Sequence, residues 1–265
     1  MSYDYTFTDY IIAIPSYKRS ITLDEKTLRV LQEYKINKDI IYIFVANEDE
    51  YDNYKNTLDP YYKEIIIGEK GMSNIRNFIT NYFVEDTKIF FIDDDIDGFF
   101  EVYNDIEPYD KKNNYLERLP DLDKFIKKGF NTLKKEGCNL FGVYPVKNPF
   151  FMKPDKLTTD LRYIIGFCYG VFNTKDLKVT IDHGEDYERT ILYYINDNKV
   201  VRFNNVTCQT KCYKKNSGGM NIKDERNNEM IFNSINYIQS KFPDLCQLRL
   251  SKTRGTAELK LKDKR

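Results

Sequence analysis

Apolar positions in the first hundred residues fall into two alternating kinds of pattern, short continuous runs and helically spaced stripes. Residues 10–14 (Tyr-Ile-Ile-Ala-Ile) form a β-branched run stopped by Pro15, and Leu28, Leu31 and Tyr34 then recur at helical spacing within 23–34. The same alternation predicts strands at 40–46, 64–67 and 88–92, and helices at 48–54 and 73–82, the latter capped by Ser73. Strands buried on both faces read as continuous apolar runs, and parallel pairing needs crossovers of this length. The fold expected is therefore α/β, an open, mostly parallel twisted sheet flanked by helices.

Beyond residue 100 the pattern is weaker. It predicts a helix at 121–135, strands at 139–143 and 167–172, a helix at 186–195, a bent strand or hairpin at 200–212, and a last helix at 224–242. Residues 145–165 read as loop. With no internal repeat and no Pro/Gly/Ser-rich linker, one domain over 1–265 is expected, with 1–100 as its ligand-binding half, 101–245 as an irregular second half and 246–265 as a basic tail. From Arg249 onward that tail carries seven basic residues against two acidic ones, a composition able to track a phosphate backbone.

Composition narrows the classes. Lys plus Arg and Asp plus Glu are both 41 in a chain of 265 residues, which argues against a general nucleic-acid coat or a polybasic membrane binder. No apolar run approaches the roughly 18 residues of a spanning helix, and the N-terminus lacks a signal-peptide pattern, so a cytoplasmic protein is expected. The five cysteines are odd in number and scattered, as free thiols are; Cys208 and Cys212 lack the further ligands a zinc site needs.

Ligands of open parallel sheets sit beyond the carboxyl ends of the strands. The segments in that position are Pro15-Ser16-Tyr17-Lys18-Arg19, Asn47-Glu48, Gly68 to Gly71, and Asp93-Asp94-Asp95. Three adjacent carboxylates at the end of so apolar a strand as Ile89–Ile92 need compensation by a cation, by basic neighbours or by hydrogen-bond donors. A hard divalent ion, Mg²⁺ or Mn²⁺, is the economical choice for oxygen-only ligands. An EF-hand loop is a poor fit, because its twelfth position would be Asn104 and a strand precedes it. Gly71 to Asn77 places a glycine and a serine at a helix N-terminus, a natural anion site, with Arg76 one turn inside to meet a phosphate or a carboxylate such as Asp93.

Taken in order, these segments resemble the glycosyltransferases of the GT-A fold. Residues 12–19 are similar to that superfamily's opening strand and nucleotide loop, 71–77 to its Gly-x-x-x-x-Arg-Asn helix start, and 91–95 to its Asp-x-Asp motif. Within the superfamily, His183 to Tyr187, Asn216 to Met220 and Glu258 to Lys262 resemble the TET-associated glycosyltransferases of bacteriophages.

The resemblance implies a nucleotide-sugar donor held by Pro15, Ser16, Tyr17, Arg19, Asn47, Glu48, Gly71, Arg76, Asn77, Asp93 and Asp94. It implies Mn²⁺ or Mg²⁺ on Asp95 and Asp93, with His183 as a further candidate ligand. Asp186, with Glu185 second, would be the general base of an inverting transfer, and Ser217, Gly218 and Gly219 an acceptor-side lid. The acceptor so implied is hydroxymethylated pyrimidine in double-stranded viral DNA. A glycan, lipid or protein acceptor, a nucleotidyltransferase and a non-catalytic nucleotide-sugar or DNA-binding module are the alternatives.

Overall fold

A computed structural model describes residues 9–210, 228–250 and 257–262. The chain opens β1 (Ile11–Pro15), then α1 (Ser20–Thr22), a π-helical segment (Leu23–Leu28) and α2 (Arg29–Glu33), followed by β2 (Ile41–Val45), α3 (Glu48–Thr57), β3 (Glu64–Ile67), α4 (Met72–Tyr82) and β4 (Lys88–Ile92). Next come β5 (Ile96–Tyr103), β6 (Tyr115–Arg118), α5 (Leu122–Glu136), β7 (Leu140–Val143), β8 (Leu157–Thr158) and β9 (Cys168–Phe172). The described chain closes with α6 (Glu185–Asp197), β10 (Val201–Phe203), β11 (Val206–Thr210), α7 (Asn228–Lys241), β12 (Cys246–Leu250) and β13 (Ala257–Leu261).

Eight strands form the main sheet in the order β3-β2-β1-β4-β9-β7-β10-β8. β9 runs antiparallel to both β4 and β7, and β8 antiparallel to β10; the other neighbours are parallel. Every residue of β1 and β2 is buried, as strands covered on both faces should be. On one face Ile12, Ile14, Ile43 and Phe90 pack with Leu28 and Leu31 and with Phe125, Ile126 and Phe130 of α5. Ile11, Ala13, Phe44 and Phe91 pack on the other with Ile75 and Ile79 of α4 and Tyr193 of α6. α5 shows why such helices form where they do. Asp121 accepts from the Lys124 N–H at 2.9 Å, Leu122, Phe125, Ile126, Phe130 and Leu133 make the buried stripe, and Gly137 closes the helix in the left-handed region.

Three sequence expectations need correction, and two strands went unpredicted. α4 begins at Met72 with Gly71 (φ +106°) as its N-cap, so Ser73 lies inside the first turn instead of capping it. Over its described residues the stretch 200–212 is neither one bent strand nor a hairpin: β10 joins the main sheet, while β11 pairs antiparallel with β5 in a second, three-stranded sheet β11-β5-β6. β5 and β6 had no counterpart in the pattern reading, because β5 mixes buried and half-buried positions without a clean alternation, β6 is mostly exposed, and their order comes from pairing within the sheet β11-β5-β6. Over its described residues the stretch read as a basic tail is the antiparallel pair β12–β13, with Cys246, Ala257, Leu259 and Leu261 buried against Ile235 and Ile238 of α7.

Candidate active site

The loop after β1 and the acidic turn after β4 meet because β1 and β4 are adjacent parallel strands. Asp94 is 4% exposed and turns inward: its Oδ2 accepts from Ser16 Oγ at 2.6 Å and its Oδ1 from Arg19 Nη1 at 3.1 Å. Behind Ser16 stands Tyr54, wholly buried, whose hydroxyl lies 2.7 Å from Ser16 Oγ and accepts from the Arg19 N–H at 3.0 Å. With Ser16 donating to Asp94, Tyr54 must donate to Ser16, so the chain of hydrogen bonds has a single direction from Arg19 to Asp94. Burial raises the Tyr54 pKa, against the pull of Ser16 and the Arg19 backbone, and keeps that proton in place.

Asp93 and Asp95 are placed differently. Arg76, itself 4% exposed, donates from Nη2 to Asp93 Oδ1 at 2.9 Å and to the Gly166 carbonyl at 3.0 Å. The Asp93 carbonyl accepts from Thr27 Oγ1 at 2.7 Å, and the same hydroxyl accepts from the Ile96 N–H at 3.0 Å, so one buried threonine of the π-helical segment clamps both ends of the turn. Asp95 Oδ1 accepts from Thr210 Oγ1 at 2.7 Å, and its Oδ2 is 3.7 Å from Arg19. Burial pushes the Asp93 carboxyl up to about 7 against the pull of Arg76, with Asp95 and Asp94 adding like charge. Its side chain still keeps 30% exposure, so a counter-ion can reach it.

On the far side of Gly166 lies the start of α6. Asp186 is half-buried and accepts from the Tyr163 hydroxyl, from the Gly166 N–H at 3.3 Å and from the Tyr187 N–H at 3.0 Å. Glu185 is 5% exposed, with Oε2 accepting from Arg189 Nη1 at 2.6 Å and Oε1 lying 3.6 Å from Arg76 Nε. Burial raises the Glu185 pKa against the pull of Arg189 and Arg76, whereas the donors to Asp186 are a neutral hydroxyl and two backbone N–H groups.

The remaining expected donor-side residues separate into neighbours of the crevice and residues already occupied. Pro15 ends β1, buried; Tyr17 is half-buried, with the Lys18 and Lys70 ammonium groups 5.2 and 5.3 Å from its ring centroid. Asn47 caps α3 by accepting from the Glu50 N–H at 3.0 Å, and Glu48 is exposed beside it. The α4 N-terminus holds an anion, but it is the protein's own: Asp182 accepts from the Ser73 N–H at 2.8 Å and the Ser73 hydroxyl at 2.7 Å, next to Gly71. Asn77 is likewise occupied, exchanging two hydrogen bonds with the Val179 backbone. His183 is buried, and among the described residues no three His, Cys, Asp or Glu side chains converge as a metal site. Ser217, Gly218 and Gly219 lie outside the described residues, as does Cys212.

No protein-family model and no curated protein matches this sequence. Solved structures do. The glucosyl-3-phosphoglycerate synthase of Mycobacterium tuberculosis, in complex with Mn²⁺, UDP and glucosyl-3-phosphoglycerate, superposes with a TM-score of 0.51 at 9% identity, covering 99% of this chain and 94% of that one. S. aureus TarS 1–349 in complex with UDP gives a TM-score of 0.46 at 13% identity over 74% of this chain, which spans 58% of that structure's length. The fold is that of the GT-A glycosyltransferases.

Within this GT-A fold the donor set at the acidic turn fits a hard divalent ion. Two carboxylates, one partly exposed and carrying excess like charge, suit a cation that takes its remaining ligands from water and phosphate. Sequence reading missed several residues that shape this centre: Thr27, Tyr54, Tyr163, Gly166, Arg189 and Thr210. Only Gly166 had an available signal, a lone glycine next to a strand. A Cβ there would come within 2.9 Å of Glu185 Oε1, so the close approach of backbone to carboxylate needs glycine.

Proposed function

We propose that this chain is a metal-assisted glycosyltransferase that moves a sugar from a UDP-sugar to a hydroxyl acceptor. The observation that carries the reading is the division of labour in the acidic turn: Asp94 ties the loop after β1 in place, while Asp93 and Asp95 are left with only partial compensation. In this reading Ser16, Tyr17 and Arg19 border the nucleoside, and Asp93 and Asp95 hold Mn²⁺ or Mg²⁺. The ion would supply charge neutralisation for the departing diphosphate, an interaction stronger in the transition state than in the ground state. Asp186 takes the acceptor hydroxyl's proton. The acceptor oxygen then bonds to the anomeric carbon from the face opposite the breaking bond, and the bond's electron pair leaves with UDP, inverting the centre. The 1–100 half serves the donor and the following half the acceptor. Hydroxymethylated pyrimidine in duplex DNA is the acceptor supported by the residues around His183 and Glu258.

A thermal-shift panel of nucleotide-sugars with and without Mn²⁺ tests the reading, because a ligand at about 100 times its Kd stabilises the native state by about 2.7 kcal/mol. UDP-sugars are expected to raise Tm only with metal present. A flat panel sinks the enzymatic reading. Transfer of radiolabelled sugar to hydroxymethylated duplex DNA, with unmodified duplex as control, tests the acceptor; label retained only by glycan, lipid or protein acceptors removes DNA from it.

A further inference from the structure

The proposed reaction leaves Glu185 without a chemical task, yet it sits between the two carboxylates that have one. Arg76 and Arg189 both reach it, and both guanidiniums lie near the Tyr169 ring, at 5.5 and 3.6 Å from its centroid. Tyr169 is held in turn by stacking on Phe91 of the paired strand β4, with centroids 4.7 Å apart. Two routes lead outward from Glu185, both by way of Arg76. One runs through Arg76 to Asp93 Oδ1. The other runs through Gly166, whose carbonyl accepts from Arg76 and whose N–H donates to Asp186. Arg189 fixes the same segment by donating from Nη2 to the Ile164 carbonyl at 3.3 Å.

The charges balance as a set. Arg76 and Arg189 face Glu185 and Asp93, all four in or at the edge of the core, where an uncompensated charge is costly. The Arg76–Glu185 contact, at 3.6 Å from an Nε that makes no hydrogen bond, is an ion pair that draws part of the guanidinium's field away from Asp93. With that carboxylate neutral, Arg76 would act on Asp93 alone and compete with a cation for it.

We propose that Glu185 is a positioning residue that shares Arg76 with Asp93, keeping Asp93 available to a divalent cation and holding Asp186 in register with it. This rests on the glycosyltransferase reading above. The test is E185Q, which removes the charge at nearly constant shape, read by calorimetric titration of UDP in the presence of Mn²⁺ and by steady-state kinetics. Groups behind a metal's direct ligands change metal affinity by about 10- to 100-fold when altered. E185Q is accordingly expected to weaken Mn²⁺-dependent UDP binding by about that factor, and E185D, which restores the charge one methylene short, to recover part of the loss. In a double-mutant cycle with R76K the two losses are expected to be non-additive.

Unchanged UDP binding with a lower Tm alone would make Glu185 merely structural and overturn the proposal. A fall in kcat with binding intact would overturn it in favour of a proton-transfer role, and additive losses would remove the shared Arg76. If E185Q does not fold, the same titration on E185D decides, wild-type affinity overturning the proposal and weakened affinity supporting it. A wild-type protein that binds no UDP with Mn²⁺ fails the glycosyltransferase reading itself, an outcome distinct from all of these.

Discussion

Two arginines serve the acidic turn, and they do it in different ways. Arg19 comes from the loop after β1, keeps 11% side-chain exposure, and shares its work with two hydroxyls, Ser16 and Tyr54, so that Asp94 is compensated by hydrogen bonds as much as by charge. Arg76 is 4% exposed, lies against two aromatic rings, and is balanced by Asp93 and by Glu185 from the second half of the chain. The first cluster ties neighbouring elements together. The second links distant ones, and most of its stability must come from complete charge pairing, since removing one member strands the others in a medium that solvates them poorly. A redundant cluster tolerates damage; a balanced one does not.

The largest expected effect lies beyond both clusters and checks the chemistry they support. Asp186→Asn should lower transfer by about 10²- to 10⁴-fold, the usual worth of a general base, while calorimetry still finds UDP and Mn²⁺ bound. Retained turnover would move the base elsewhere. Next, Arg76→Met should cost about 3–5 kcal/mol in urea unfolding, as the loss of one partner of a buried pair does. Arg19→Met should cost less, about 1.5–3 kcal/mol, the scale of a hydrogen bond to a charged group. Equal losses would erase the contrast between the clusters.

Gly166→Ala sharpens the comparison from the backbone side. The added methyl meets a Glu185 oxygen that two arginines hold in place, so a loss of about 1–3 kcal/mol is expected, the range for overpacking. It should be accompanied by weaker Mn²⁺-dependent UDP binding, which the corresponding change at Gly137, where a Cβ meets nothing within 4 Å, should not produce. The smallest effect belongs to Asp182→Asn. An exposed carboxylate at a helix N-terminus contributes about 0.3–1 kcal/mol at low ionic strength, and the loss should shrink as salt is added.

Much of the first hundred residues was legible. The strand over 64–67 and that over 88–92 match the observed β3 and β4, and the acidic turn does end an internal strand beside Ser16 and Arg76. The central strands there are short, buried on both faces and joined by helical crossovers, so each announces itself within a dozen residues. β5 and β6 did not, because β5 mixes buried and half-buried positions, β6 is mostly exposed, and the ribbon depends on pairing across a long connection to β11. At the helix start read as an anion site the structure places a carboxylate of the protein itself, Asp182, from 109 residues away.

The sequence alone determined that an apolar strand ends in three aspartates, that a basic loop and a basic helix turn stand at the same end of the sheet, and that α6 opens with two carboxylates. Local periodicity and capping fix such features because they depend on residues a few positions apart. Only the tertiary structure decided which aspartate faces which arginine. That pairing requires β9 to enter antiparallel beside β4, bringing Gly166 against Arg76 across 90 positions of chain, and with it Glu185 and Asp186. Charge partners inside a protein are selected by distance and by exclusion of water, neither of which is written in the order of the residues.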